Sequence, residues 1–283
     1  MNSYSCLRLF IISLSIALIG CAASPYQKDN KLLSDSKLSA QIEQAKQQIN
    51  ASKEPRILYA GFAMHAQSKA FRQDVLLGGK AVLSMDPDAV LFKLSNPTVG
   101  QDADLPYATR ENIEQVINEL GSLARPQDKI VLLFTTHGNK EILAVNAGNQ
   151  DYRAVSAADL EYWLRKLNGK PVVLALSACY SGSFIPSLKN INRIILTAAD
   201  KDRNSFGCNY QSSNTFFVEE TLGASFDLGK SLVEVFDAAR TNIERKEKRM
   251  NLSPASNPQI EIGLALKKLA SAPLSKLRGF ALD

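Results

Sequence analysis

From Arg56 onward the chain alternates short, almost wholly apolar runs with longer segments of helical period, and this alternation constrains the fold more than any other feature. The apolar runs are Ile57 to Ala63, Ala89 to Leu94, Ile130 to Thr135, Val172 to Leu176 and Ile194 to Ala198. Each has the length of a strand and is too apolar for a strand with one wet face. Between them lie Ser68 to Leu77, Arg110 to Leu123 and Ala157 to Leu167, and Leu232 to Arg249 follows as a long closing helix. Parallel neighbours need a crossover, usually a helix, so the pattern predicts βαβ units around a mainly parallel α/β sheet built on these five runs. Ser156 with Asp159 makes a capping-box signature for the third helix, and Asn168-Gly169 supplies its left-handed stop. Ile142 to Asn146 reads as a hairpin extension and Gln259 to Ala265 as a last strand.

Two of the runs end on reactive side chains. Lys129 to Phe134 leads into Thr135-Thr136-His137-Gly138, and Pro171 to Ser177 leads into Ala178-Cys179-Tyr180-Ser181-Gly182-Ser183. In an open parallel sheet the carboxyl ends of the strands lie along one edge, where ligand crevices form. The topology therefore delivers one thiol and one imidazole to that edge, a pairing suited to a cysteine nucleophile with a histidine partner. A disulfide between Cys179 and Cys208 is the other use open to this thiol. Neither Ser181 nor Ser183 sits in a GxSxG elbow, and both read as caps for the helix start that follows. Gly78-Gly79-Lys80 lacks the spacing needed to wrap phosphates, and neither GxxxxGK[ST] nor GxGxxG occurs. With His65 and His137 the only histidines and no CxxC or HExxH spacing, no metal or cofactor is expected.

The amino terminus has its own logic. Leu9 to Gly20 is an apolar stretch behind Arg8, too short to span a bilayer comfortably, and residues 1–20 read as a signal peptide. Leu18-Ile19-Gly20-Cys21 resembles the lipobox of bacterial lipoproteins, which implies acylation of Cys21 and durable membrane attachment in a bacterial cell envelope. Ala22 in place of an aspartate points to the outer membrane, with the protein facing the periplasm. Residues 21–54 read as a tether whose Leu38, Ile42, Ala45 and Ile49 share one helical face, either docked or free. Residues 55–266 then form the main domain, and 267–283, interrupted by Pro273, a packing or surface tail. The formal charge of +5 is spread apart from Arg245-Lys246-Glu247-Lys248-Arg249, a solvated helix face, so no nucleic-acid partner is expected.

The segments around the thiol and imidazole carry a family resemblance. Ala178-Cys179-Tyr180-Ser181-Gly182-Ser183 resembles the nucleophile segment of the legumain-like cysteine peptidases, and Thr136-His137-Gly138 is similar to their histidine segment. Thr197-Ala198-Ala199 followed by Ser205-Phe206-Gly207-Cys208 matches a further pattern of that family in order and spacing. The resemblance covers Arg56 to about Leu266 and implies the caspase-like three-layer sandwich, a mainly parallel sheet with helices on both faces. It also implies that Cys208 lies in a substrate-side loop and need not bond to Cys179.

On that resemblance Cys179 is the nucleophile that forms a thioester acyl-enzyme, and His137 the general acid/base. The backbone N–H groups of Gly138 and Cys179 form the oxyanion hole. His65, Ser205 and Asp200 are candidate substrate contacts, Gly182 is where the chain turns away, and the partner is a peptide or protein cleaved after Asn or Asp. The acyl-enzyme is open to water or to an amine, so transpeptidation is the alternative chemistry. This chain departs from the legumains at Thr136, where they carry an aspartate, at Met64, where they carry an arginine, and at Gly61-Phe62-Ala63, where they carry an asparagine. Asp200, Asp202 and Arg203 are left to charge the pocket, and a catalytically silent caspase-like binding module is the reading from a different class.

Overall fold

A computed structural model describes residues 25–97, 104–148, 150–209 and 211–281; the signal segment 1–20 and Cys21 lie outside the described residues. In chain order the elements are α1 (Pro25–Asn50), β1 (Ile57–Ala63), α2 (Lys69–Met85), β2 (Val90–Ser95), α3 (Arg110–Leu123), β3 (Lys129–Thr135), β4 (Gly138–Asn139), β5 (Ile142–Ala147) and β6 (Gln150–Ser156). There follow α4 (Ala157–Leu164), β7 (Val172–Ser177), α5 (Ile185–Leu188), β8 (Arg193–Thr197), α6 (Phe216–Glu219), α7 (Leu232–Arg249), β9 (Gln259–Ile262) and α8 (Lys267–Ala270). The main sheet has the order β2-β1-β3-β7-β8-β9. Its first five strands are the five apolar runs, all parallel, and β9 closes the far edge antiparallel to β8. The hairpin extension is a small antiparallel sheet, β4-β5-β6.

The period of two along each strand divides the core into two layers. Leu58, Ala60 and Phe62 of β1 pack with Ile113, Val116 and Leu120 of α3 and with Leu160, Trp163 and Leu164 of α4. Ile57 and Tyr59 of the same strand join Val82 of α2 and Val235, Phe236 and Ile243 of α7 on the other side. Helices cover both faces, as a three-layer α/β sandwich requires. The capping boxes at Ser156/Asp159 and Ser231/Glu234 are both formed, and Gly169 takes φ +79°.

Two elements differ from the sequence expectation for physical reasons. α2 continues to Met85, through the Gly78-Gly79 pair, because a Cβ on Gly78 would lie 2.5 Å from the Tyr59 hydroxyl oxygen and one on Gly61 2.3 Å from it. Tyr59 is fully buried between helix and sheet and donates to Val75 O at 2.9 Å. Each glycine costs the helix about 1 kcal/mol in propensity, which the burial of an aromatic ring offsets. β9 ends at Ile262, not Ala265, because Gly263 lets the chain pass against Asn190 and Ile191; a Cβ there would meet Asn190 O at 2.3 Å.

Both termini of the described chain are packed. Leu38, Ile42, Ala45 and Ile49 of α1 are at most 8% exposed and join the core of the α3 face. Gln41 covers the outer edge of β2, donating to Lys93 O at 3.2 Å and accepting from Lys93 N at 3.1 Å, which satisfies backbone groups an edge strand leaves open. α1 is thus docked along the sheet and not a free-standing tether; each buried Leu or Ile contributes about 1.5–3 kcal/mol. At the other end Leu269, Leu274 and Leu277 are buried. Lys129 Nζ donates to Phe280 O at 2.6 Å, and Arg278 pairs with Asp86 and Asp88 at 2.9 Å each. Among the described residues no helix is long and apolar enough to cross a membrane.

Candidate active site

The register of the three central strands places the reactive groups. Ala63 of β1 pairs with Thr135 of β3, and Thr135 pairs with Ser177 of β7, so these three residues form one row across the carboxyl end of the sheet. His65, His137 and Cys179 each stand two residues beyond that row. Sheet-like bonding persists past it, with Met64 N donating to Thr135 O at 3.1 Å and Thr136 N to Ser177 O at 3.2 Å. A Cβ on Gly138 would lie 2.6 Å from Cys179 O and 3.0 Å from the Ala178 Cβ, so the backbone after the histidine rests directly on the nucleophile segment. Only glycine permits that approach.

His137 is held by rings. His65 stands edge-on to it with centroids 4.6 Å apart, and Phe71 of α2 does the same at 5.1 Å. Burial holds the His137 imidazole below the usual histidine range. His65 is only 8% exposed and is pushed down to about 4, first by burial and then by the charge of a protonated His137, against the pull of Asp151. Both imidazoles are therefore neutral near pH 7. Backbone bonds on either side fix His65: Asn146 N donates to Met64 O at 2.9 Å and Ala66 N to Asn146 O at 3.2 Å. Its Nδ1 accepts the Gln67 N–H at 3.3 Å.

Cys179 is partly exposed and free, as is Cys208. Ser205 cradles the thiol: its N–H donates to Sγ at 3.3 Å, and Sγ lies 3.6 Å from its carbonyl oxygen. Cys208 packs instead against Ala63, Phe71 and Val75, where burial pushes its thiol up. The sharp turn after the nucleophile falls on Tyr180, at φ +57°, and not on Gly182. Gly182 has another task, since a Cβ there would meet Lys201 N at 2.7 Å and Ala199 O at 2.9 Å. Ser181 and Ser183 do not cap a helix either. The Ser181 hydroxyl accepts Ala199 N at 3.1 Å, while Ser183 donates to Tyr180 O at 2.6 Å and accepts Glu141 N at 2.8 Å, pinning neighbouring loops to the nucleophile turn.

The loop expected to charge the pocket is largely self-satisfied. Asp200 accepts the Asp202 N–H at 3.2 Å, and Asp202 is paired with Lys140 at 2.5 Å on the exposed rim. A residue the sequence reading missed lies beneath the row instead. Asp74 of α2 is fully buried and accepts from the Thr135 hydroxyl (2.7 Å), the Thr215 hydroxyl (2.8 Å), Thr215 N (3.1 Å) and Asn214 Nδ2 (3.0 Å). Ser177 joins through Thr215, with their hydroxyl oxygens 2.9 Å apart. Burial pushes the Asp74 carboxyl up to about 7, against the pull of those hydrogen bonds. Its partners stand 61, 140 and 141 positions away in the chain, so no local pattern signals the role.

Among solved structures the chain is similar to caspase-1 from Spodoptera frugiperda, with a TM-score of 0.50 and 13% identity over 74% of this chain and 86% of that one. At that identity the likeness establishes the caspase-like fold. No curated protein matches the sequence. A model of the peptidase C13 family matches residues 112–262, just over half of the 283 residues and a span that holds His137, Cys179 and Ser205; the chain therefore belongs to this family of legumain-like cysteine peptidases.

Proposed function

We propose that the chain is an envelope-anchored cysteine endopeptidase in which Cys179 attacks a peptide carbonyl and His137 carries the proton. The observation behind this reading is the single row Ala63–Thr135–Ser177, from which His65, His137 and Cys179 emerge side by side with Gly138 against the Cys179 backbone. His137 begins neutral, so it takes the thiol proton as sulfur adds to the carbonyl carbon. The oxyanion then faces the N–H groups of Gly138 and Cys179, and the latter donates to no group among the described residues. The imidazolium passes its proton to the leaving amine, the C–N bond breaks, and a thioester remains. Water, deprotonated by His137, attacks the thioester, releasing the carboxylic acid and restoring the thiol.

On this reading His65, Ser205 and Asp200 serve as substrate contacts, with cleavage after Asn or Asp as the family-derived preference. On the lipoprotein reading, acylated Cys21 precedes the start of α1 by four residues, a reach of about 14 Å when fully extended. With α1 docked on the domain, that anchor would hold the sheet close to the bilayer.

The test is mass spectrometry after treatment with a panel of peptidyl acyloxymethyl ketones. The parent is expected to gain one adduct on Cys179, and Cys179→Ala and His137→Ala none. A correctly folded parent that takes no adduct across the panel would overturn the peptidase reading in favour of a silent binding module. Cys21→Ser should move the protein from the membrane fraction to the soluble one; retention on the membrane would refute the anchor.

A further inference from the structure

We infer that Asp74 is a positioning residue of this site, locking the segment that cradles the Cys179 thiol onto the strand ends that carry His137 and Cys179. The inference rests on the peptidase reading above and adds to it a residue that neither touches substrate nor reaches solvent. The path is continuous. Asp74 takes three hydrogen bonds from Asn214 and Thr215; the next residue, Phe216, donates its N–H to Phe206 O at 3.1 Å; and Ser205, adjacent to Phe206, lays its N–H on Sγ. Gly207 makes this closure possible, at φ +87° and with only 2.6 Å between a Cβ position and Phe216 N. On the sheet side Asp74 holds Thr135, two residues before His137, and through Thr215 it reaches Ser177, two residues before Cys179.

The residue type fits the task. A carboxylate is a short side chain that accepts several hydrogen bonds and donates none, so it can take four converging donors at once. No cation pairs with it among the described residues, and burying such a group unpaired is costly. The same helix reaches the other half of the site, because Phe71 lies one turn before Asp74 on the same face and stands against the His137 ring. α2 thus clamps the imidazole with one side chain and the thiol's cradle with the other.

The experiment compares the full-length parent with Asp74→Ala, Asp74→Asn and Thr215→Val. Each is read for melting temperature, for alkylation of Cys179 by iodoacetamide, and for covalent capture by a peptidyl acyloxymethyl ketone separated into binding and inactivation constants. In Asp74→Ala the inactivation constant should fall at least tenfold, while alkylation by the small reagent stays within about threefold, since the thiol survives and only its alignment to a bound carbonyl is lost. Asp74→Asn, which keeps the shape and two acceptor contacts, should recover most of that loss. Thr215→Val should reproduce it, and it carries the test alone if Asp74→Ala does not fold. Capture unchanged within about threefold in the folded variants, or equal losses with both reagents, would overturn the inference. If the parent itself takes no peptidyl label, the peptidase reading fails separately. Amide exchange at Ser205 to Gly207 then decides the role of Asp74: faster exchange in Asp74→Ala upholds it, and unchanged protection refutes it.

Discussion

Gly138→Ala gives the sharpest test of how the two halves of the site meet. The added methyl carbon would sit 2.6 Å from Cys179 O and 3.0 Å from the Ala178 Cβ, where ordinary contact begins at 3.4 Å. Relief needs about 0.8 Å of separation, and the obstructing atom is a backbone oxygen two residues past the end of β7, which does not swing aside like the end of a flexible side chain. Displacement by that amount of a nucleophile from its electrophile and its proton carrier is worth about 100-fold in rate, or about 2.7 kcal/mol of transition-state stabilisation. The assay is the second-order rate of Cys179 capture by a peptidyl acyloxymethyl ketone, beside Gly279→Ala as control. Gly279 has no atom within 4 Å of a Cβ position and no left-handed backbone, so its variant should match the parent. A Gly138→Ala protein that folds and is captured within about threefold of the parent rate would refute the argument that this approach sets the dyad.

Other perturbations probe separate links. Because burial lowers His137, and its imidazolium cannot take the thiol proton, capture should persist on acidification until pH falls below the ordinary histidine value of 6.5; an acid limb at or above 6.5 would contradict this. Asp74, near 3.8 unfolded and raised to about 7 in the fold, favours the folded state fully below the lower value, and that advantage is lost as pH rises through the upper one. Relative to Asp74→Asn, the parent should therefore lose about 4 kcal/mol of unfolding free energy between pH 4 and 8, measured by denaturant titration, and parallel curves would place the carboxyl in its ordinary range. The hydroxyls of Thr135 and Thr215 can rotate to accept a hydrogen bond from the protonated Asp74 carboxyl, so both charge states find partners. Ile42→Ala in α1 should cost about 2–4 kcal/mol, and a cost near zero would mean the helix is undocked in solution.

The sequence discloses the parallel sheet because strands buried on both faces must be apolar through their middles, as β1, β3 and β7 are. It discloses the thiol–imidazole edge because parallel strands share a direction. β6 escapes notice: Gln150-Asp151-Tyr152-Arg153 is polar, and its strand character comes from pairing with β5, not from its own period. The run of α2 past Leu77 is hidden because its reason, the volume of Tyr59, lies on another element. Asp74 is hidden more deeply, as one acid among many until the fold gathers donors to it from β3 and from the start of α6. The docking of α1 is half legible. Its apolar stripe is plain in the sequence, but the surface that receives it is built from residues far along the chain.

The common row from which the two histidines and the cysteine emerge has an evolutionary consequence. Since pairing register sets their alignment, the connections between strands are free to vary in length without disturbing the chemistry. Insertions between Ser95 and Thr109, or at the tip joining β5 to β6, should be tolerated. A single residue added within β3 or β7 would turn one reactive group to the opposite face of the sheet. Diversification of substrate choice in chains built this way is therefore expected to accumulate in loop length and composition, while the strand lengths between row and reactive group stay constant.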